Sequence, residues 1–155
     1  MDLPQNAELL GASAEHLPVT GTGVRTSVVL TPAGQYHLGA REAPSGPVYL
    51  ALENVRGTRD ATILNVYLLL PDEGGTGAPR QLLVGGEALY GLRRASNLQG
   101  SNRAGLTLVF DITPKLGELQ GPQLLQSKKI GVSIVPERPL PNAPDITVGR
   151  VSIFR

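Results

Sequence analysis

Leu106-Thr107-Leu108-Val109-Phe110-Asp111-Ile112-Thr113 decides the fold class of this chain. Leu106, Leu108, Phe110 and Ile112 alternate with Thr107, Val109 and Asp111, and successive side chains of a strand point to opposite faces. The even positions are therefore predicted to face a core. An amphipathic helix needs apolar residues three and four apart, and here they recur every second residue. Thr113-Pro114 then reads as an N-cap and first helical residue, since proline has no N–H to leave unpaired there. One or two helical turns are expected over Pro114–Leu119. Asp111, on the outward phase, is expected to hydrogen-bond the backbone of that turn.

The same period recurs on either side. Ile130, Val132 and Ile134 alternate with polar or small residues. In the last stretch Ile146 and Val148 are even whereas Val151 and Ile153 are odd, so a one-residue slip is predicted at Gly149-Arg150. Upstream, Ala7–Ala12 and Val24–Leu30 read as strands, joined to the next by a long loop, Thr31–Pro47, that holds Tyr36 and His37. Val48–Val55 and Ala61–Leu70 read as a hairpin across Arg56-Gly57-Thr58-Arg59-Asp60. Ile63–Leu70 is nearly continuous in apolar residues, as for a strand covered on both faces. Pro71–Pro79 is an exposed turn. Gln81–Leu92 is a further strand, with a bulge or close backbone approach expected at Gly85-Gly86. Pro136–Pro144 is a stiff extended loop.

Glycine (19) and proline (13) fall between these short runs instead of clustering, which is the punctuation of an all-β chain. The reading is a single antiparallel β-sandwich, jelly-roll or Greek-key-like, of about eight strands, with one short helix near residues 114–119. Residues 1–6 are expected to be a flexible leader, and residues 7–155 one domain.

Composition narrows function mainly by exclusion. The formal net charge is +1 and aromatic residues make up 4%, so neither a phosphate-binding stripe nor a base-stacking platform is available. Nucleic-acid binding is not expected. Cysteine is absent, which removes disulfides, thiolate metal sites and cysteine nucleophiles together. No apolar run approaches a membrane span, and Met1-Asp2-Leu3-Pro4 lacks the basic and apolar regions of a signal peptide. The chain reads as soluble and without a membrane partner.

The chemical residues do not assemble a site. His16 and His37 are the two histidines, and a copper or zinc centre needs three or more converging ligands. No Gly-x-Ser-x-Gly elbow occurs. Gly21-Thr22-Gly23 and Gly74-Gly75-Thr76-Gly77 lack the following Lys-Ser/Thr and helix that a phosphate loop requires. Asp72, Glu73, Glu87, Asp111, Glu118 and Glu137 offer no facing carboxylate pair. Arg93 and Arg94, being adjacent, point to opposite faces of a strand. No catalytic, cofactor or metal residue is predicted.

Six segments, in order, resemble the C-terminal β-sandwich domain of tyrosinases and polyphenol oxidases. They are Leu9–Ser13, Val48–Thr58, Asn65–Pro71, Gly85–Ser96, Leu106–Thr113 and Ile146–Phe154. Within them, Tyr49-Leu50-Ala51-Leu52-Glu53 leads into Gly57-Thr58 much as in that family. Asn65-Val66-Tyr67-Leu68-Leu69-Leu70-Pro71 is similar to its Val-Tyr-Val-Asn-Leu-Pro strand, with Leu69 in place of a polar residue. The resemblance implies a non-catalytic domain that covers a binuclear copper site on a preceding catalytic domain and supports folding or latency. It implies a tyrosinase-type catalytic domain as partner, and no catalytic histidine is carried over. The expected contacts are loop residues: Tyr36, His37, Arg56 and Arg59. The alternative is a free-standing assembly or adhesion module, self-associating through the edges of Ala7–Ala12 or Val24–Leu30.

Overall fold

The alternation around Phe110 forms a strand in a computed structural model, which describes residues 7–39, 46–58, 62–70, 80–92, 96, 105–118, 128–139 and 146–155. The strands are β1 (Leu9–Ala12), β2 (Leu17–Val19), β3 (Val24–Leu30), β4 (Tyr49–Gly57) and β5 (Ile63–Leu70). They continue with β6 (Arg80–Ala88), β7 (Leu106–Asp111), β8 (Lys129–Pro136), β9 (Ile146–Val148) and β10 (Arg150–Phe154). Helix α1 spans Pro32–Gly39, and a 3-10 helix spans Thr113–Glu118. The predicted leader, the Pro71–Pro79 turn and most of the proline-rich Pro136–Pro144 loop lie outside the described residues.

The chain is all-β, as its alternation indicated, with ten strands among the described residues joined in one sheet. Their order is β2-β9-β4-β10-β1-β3-β8-β5-β6, with β7 on β4, and every pairing is antiparallel. β4 carries β9 and β10 in line along one edge and β7 along the other. The far end of the path returns toward β7, where a Cβ on Gly85 of β6 would lie 3.0 Å from the Phe110 ring. Inward side chains from all these strands fill one core. Leu50, Leu52, Leu64, Val66, Leu68, Leu108, Phe110, Ile130, Val132, Ile134, Val151 and Ile153 are buried together, and Leu106 packs at its margin.

Several expectations change. The hairpin between Val48–Val55 and Ala61–Leu70 does not form: β4 has both edges taken by β7, β9 and β10, and β5 lies between β8 and β6. β5 is not covered on both faces, because only Leu64, Val66 and Leu68 are buried while Asn65, Tyr67 and Leu69 are half-exposed. Strands buried on both faces include β4 at Leu50–Leu52, β8 at Val132–Ile134 and β10 at Val151–Phe154. The strand read over Gln81–Leu92 stops at Ala88, and Leu89–Leu92 is a turn closed by the Leu92 N–H on the Leu89 carbonyl at 3.3 Å. A bulge does precede the paired glycines: Val66 faces Gly85 while Tyr67 faces Leu83, which leaves Val84 as the extra residue.

Thr31–Pro47 is not all loop. Thr31 caps α1, its Oγ1 accepting from Gly34 N–H at 3.0 Å, and the Gln35 N–H reaches the Thr31 carbonyl at 2.9 Å. Pro32 occupies the first turn, where its missing N–H costs nothing. This is the Thr-Pro signature read correctly at Thr113-Pro114. There, the Thr113 N–H donates to Asp111 Oδ1 at 2.9 Å, the role expected of Asp111, and Thr113 Oγ1 accepts from Val48 N–H at 2.8 Å.

The predicted slip in the last stretch is present, with β9 and β10 separated by Gly149. The two strands named as pairing edges are interior: β1 lies between β10 and β3, and β3 between β1 and β8. On its β1 side, β3 is paired only at Val29 and Leu30, while β8 pairs it from Val24 to Val29.

Candidate functional site

Of the residues expected to meet a partner, Tyr36 and His37 lie on α1 and Arg56 on β4. α1 packs on β1 so closely that a Cβ on Gly34 would collide with the Leu10 carbonyl oxygen. Tyr36 is 73% exposed, and its ring meets the His37 ring edge to face, centroids 5.1 Å apart at 84°. Beside them the described ends of the chain are clasped. Glu8 and Arg155 exchange backbone hydrogen bonds of 2.9 and 3.0 Å, and Arg155 Nε donates to Glu8 Oε2 at 2.8 Å. The hydrogen bond from Arg155 holds the Glu8 carboxyl below its usual range against desolvation, and the charges of Arg155 and His37 add a lesser pull in the same direction.

Arg56 lies at the opposite end of β4. Tyr49, which pairs with Phe154 next to the Glu8–Arg155 clasp, is seven residues away, roughly 23 Å along an extended strand. Arg56 is exposed, and its Nε donates to Asn54 Oδ1 at 3.0 Å. Arg59 lies outside the described residues.

That second end carries a residue the sequence reading passed over. Tyr90 is 75% exposed, between Leu89 and Leu92, which are both wholly buried. Gly91 has φ +73°, the conformation a turn needs after Tyr90. The turn is tied down by Leu89 N–H on the Thr62 carbonyl at 2.8 Å. Ser96 Oγ donates to the Leu92 carbonyl at 2.7 Å and accepts from Gly57 N–H at 2.9 Å. An aromatic residue directly before a glycine was the available signal, hidden because the apolar run looked like more strand.

The remaining ionic feature is structural. Arg150 Nε donates to Glu53 Oε2 at 2.8 Å across β10 and β4, and this bond raises the arginine's already high pKa. His16 lies apart, its N–H on the Gly149 carbonyl at 3.0 Å. Among the described residues, no three His, Cys, Asp or Glu side chains converge as metal ligands. No helix of the described residues is long and apolar enough to cross a membrane. The exposed aromatic residues Tyr36 and Tyr90 thus stand on α1 and on the Leu89–Leu92 turn.

Residues 6–155 match the model of a domain of unknown function, DUF7868, and the chain belongs to that family. No curated protein matches it. Among solved structures, the chain is similar to latent apple tyrosinase at 16% identity, covering 89% of this chain and 27% of that one, with a TM-score of 0.47. It is similar also to a latent aurone synthase (polyphenol oxidase) from natural source, at 16% identity over 88% of this chain and 25% of that one, with a TM-score of 0.44. The chain thus spans about a quarter of the length of those solved chains.

Proposed function

We propose that this domain is a non-catalytic, tyrosinase-type C-terminal domain that covers the active site of a binuclear copper oxidase. It supports the folding or latency of that oxidase through protein contact. The observation that carries the reading is where the resembling segments fall. Leu9–Ala12, Tyr49–Gly57, Leu106–Asp111 and Ile146–Phe154 form β1, β4, β7, β9 and β10, which are hydrogen-bonded neighbours. The two other segments contribute β5 and β6, neighbours in turn. Short apolar segments that matched by chance have no reason to share edges in this way. With two histidines, the chain lacks the ligands of a binuclear centre, so copper chemistry belongs to the partner.

The test is to supply the domain in trans to the tyrosinase-type catalytic domain of the same organism. Phenol oxidation is expected to fall with added domain, and the mixture to melt at a higher temperature than either part, because binding stabilises the folded state by mass action. Activity that ignores an excess of the domain overturns the reading. The contact is assigned to the Tyr36–His37 end: Tyr36→Ala with His37→Ala should relieve inhibition, and Arg56→Ala should not. The reverse pattern moves the contact to the Tyr90 end.

A further inference from the structure

We propose that Tyr36 is a modification site: the copper oxidase that this domain covers oxidises its phenol to an o-quinone, and His37 captures the product. The inference rests on the reading that the Tyr36–His37 end meets a phenol-oxidising enzyme. α1 is seated on the sheet through the buried side chain of Leu38 and the close approach of Gly34 to Leu10, so it holds Tyr36 outward on a fixed mount. Tyr36 is 73% exposed, whereas Tyr49 is stacked on Phe154 and Tyr67 is half-buried within β5. Tyr90 matches it in exposure, at 75%, but has no ring contact among the described residues. The His37 ring stands beside Tyr36, centroids 5.1 Å apart at 84°.

The chemistry follows from the two rings. A tyrosine side chain is a phenol, the class of molecule that such an oxidase turns over. One oxygen of dioxygen enters the ring beside the Tyr36 hydroxyl, and the other leaves as water with the hydroxyl hydrogen and the ortho hydrogen. All the electrons that dioxygen takes come from the ring, so no further reductant is needed. The o-quinone is an electrophile, and the neighbouring imidazole is a nucleophile through its unprotonated nitrogen. That lone pair lies in the plane of its ring. Rings set near the perpendicular need only a small rotation to aim it at the face of the quinone, and surface side chains rotate fast enough to do so. Addition forms an N–C bond, and the displaced ring hydrogen and the imidazole N–H hydrogen pass to the quinone oxygens. The product is a catechol joined to His37, with no atom gained or lost in that step. Capture keeps the oxidised ring on this domain and away from nucleophiles of the partner, so the two proteins separate without a covalent link.

Incubation of the whole chain in air with the copper-loaded tyrosinase-type catalytic domain of the same organism tests this, phenol oxidation and peptide masses being read from one mixture. The tryptic peptide between Arg25 and Arg41 holds Tyr36 as its one tyrosine, and that between Arg80 and Arg93 holds Tyr90 likewise. The first is expected to gain the mass of an oxygen less that of two hydrogens, several-fold more often than the second. Tyr36→Phe should abolish the gain, and fragmentation of the parent peptide should leave Tyr36 and His37 joined. In His37→Gln the free quinone should take up an added thiol several-fold more than the parent does. Phenol oxidation that falls while Tyr36 stays unmodified overturns this inference and leaves the covering role standing, whereas no fall and no modification removes both. Equal gains at Tyr36 and Tyr90, or equal thiol uptake by the parent and His37→Gln, would also overturn it.

Discussion

Asn54 and Gly149 stand opposite one another on β4 and the β9–β10 strand pair, and both strands change phase at that level. The Gly149 N–H reaches the Glu53 carbonyl at 2.9 Å and the Asn54 carbonyl at 3.2 Å. On one strand the buried residues pass from Leu50 and Leu52 to Val55, and on the other from Val148 to Val151. Because the two slips coincide, pairing between the strands stays in register on both sides of them, from Arg150–Glu53 to Thr147–Arg56. The β7 edge has no such compensation, and its register shifts between Leu52 and Val55. A Cβ on Gly149 would lie 2.8 Å from that of Asn54, so the glycine makes room for the slip on its neighbour.

Asn54 sustains its slip in the left-handed region, at φ +55°, which asparagine tolerates and β-branched residues do not. Asn54→Gly should therefore lie within about 0.5 kcal/mol of the parent in urea unfolding, while Asn54→Val loses about 2 kcal/mol through strain at that backbone conformation. Equal stability of the two variants would show that the conformation of Asn54 does not matter.

Ser152 and Ser13 should respond to alanine with opposite signs. The Ser152 hydroxyl is fully buried between the cross-strand neighbours Ala12 and Ala51 and has no hydrogen-bond partner among the described residues. Ser13 Oγ accepts from the N–H of buried Val151 at 2.9 Å. Removing an unsatisfied group recovers its desolvation cost, whereas removing a partner creates one. Ser152→Ala is expected to raise stability by about 1 kcal/mol, and Ser13→Ala to lower it by about as much. Calorimetric melting of the two variants side by side checks the pair, and a drop for Ser152→Ala contradicts it.

How much of this was legible depended on whether a segment's partners lay nearby in the chain. The inward residues Leu108, Phe110, Ile130, Val132 and Ile134 showed themselves by period, because burial on one face writes itself into alternate positions. The slip at Gly149 showed itself for the same reason. Its counterpart at Asn54 did not, since Leu50-Ala51-Leu52 is apolar on both faces and masks the phase. Partner choice was invisible: β4 forsakes its sequence neighbour β5 for strands far away in the chain. Tyr36 and Arg56 were both expected in loops, whereas Tyr36 stands on α1 and Arg56 within β4.

Acid should loosen the clasp between Glu8 and Arg155. The Glu8 carboxyl titrates below its ordinary value of 4.5 in the folded chain because Arg155 donates to its charged form. A depressed carboxylate contributes stability that is fully present above the unfolded value and is lost as pH falls through the folded one. The melting temperature should thus be flat near neutrality and fall below about pH 4.5, more steeply in the parent than in Glu8→Gln. Identical acid limbs for the two proteins would remove Glu8 from the account.

Gly85 and Phe110 meet where β6 approaches β7, and their contact is testable by a double-mutant cycle. The Phe110 ring fills the space that a side chain on Gly85 would occupy, since a Cβ there would stand 3.0 Å from Cδ1 and 3.4 Å from Cε1. Gly85→Val should overpack this point and lose about 2 kcal/mol, while Phe110→Leu alone loses a similar amount by leaving space beside the glycine. Together the changes exchange volume across one contact, so the double variant should be at least 1 kcal/mol more stable than the sum of the two losses implies. Additive losses in urea unfolding would mean that Gly85 and Phe110 do not share this space.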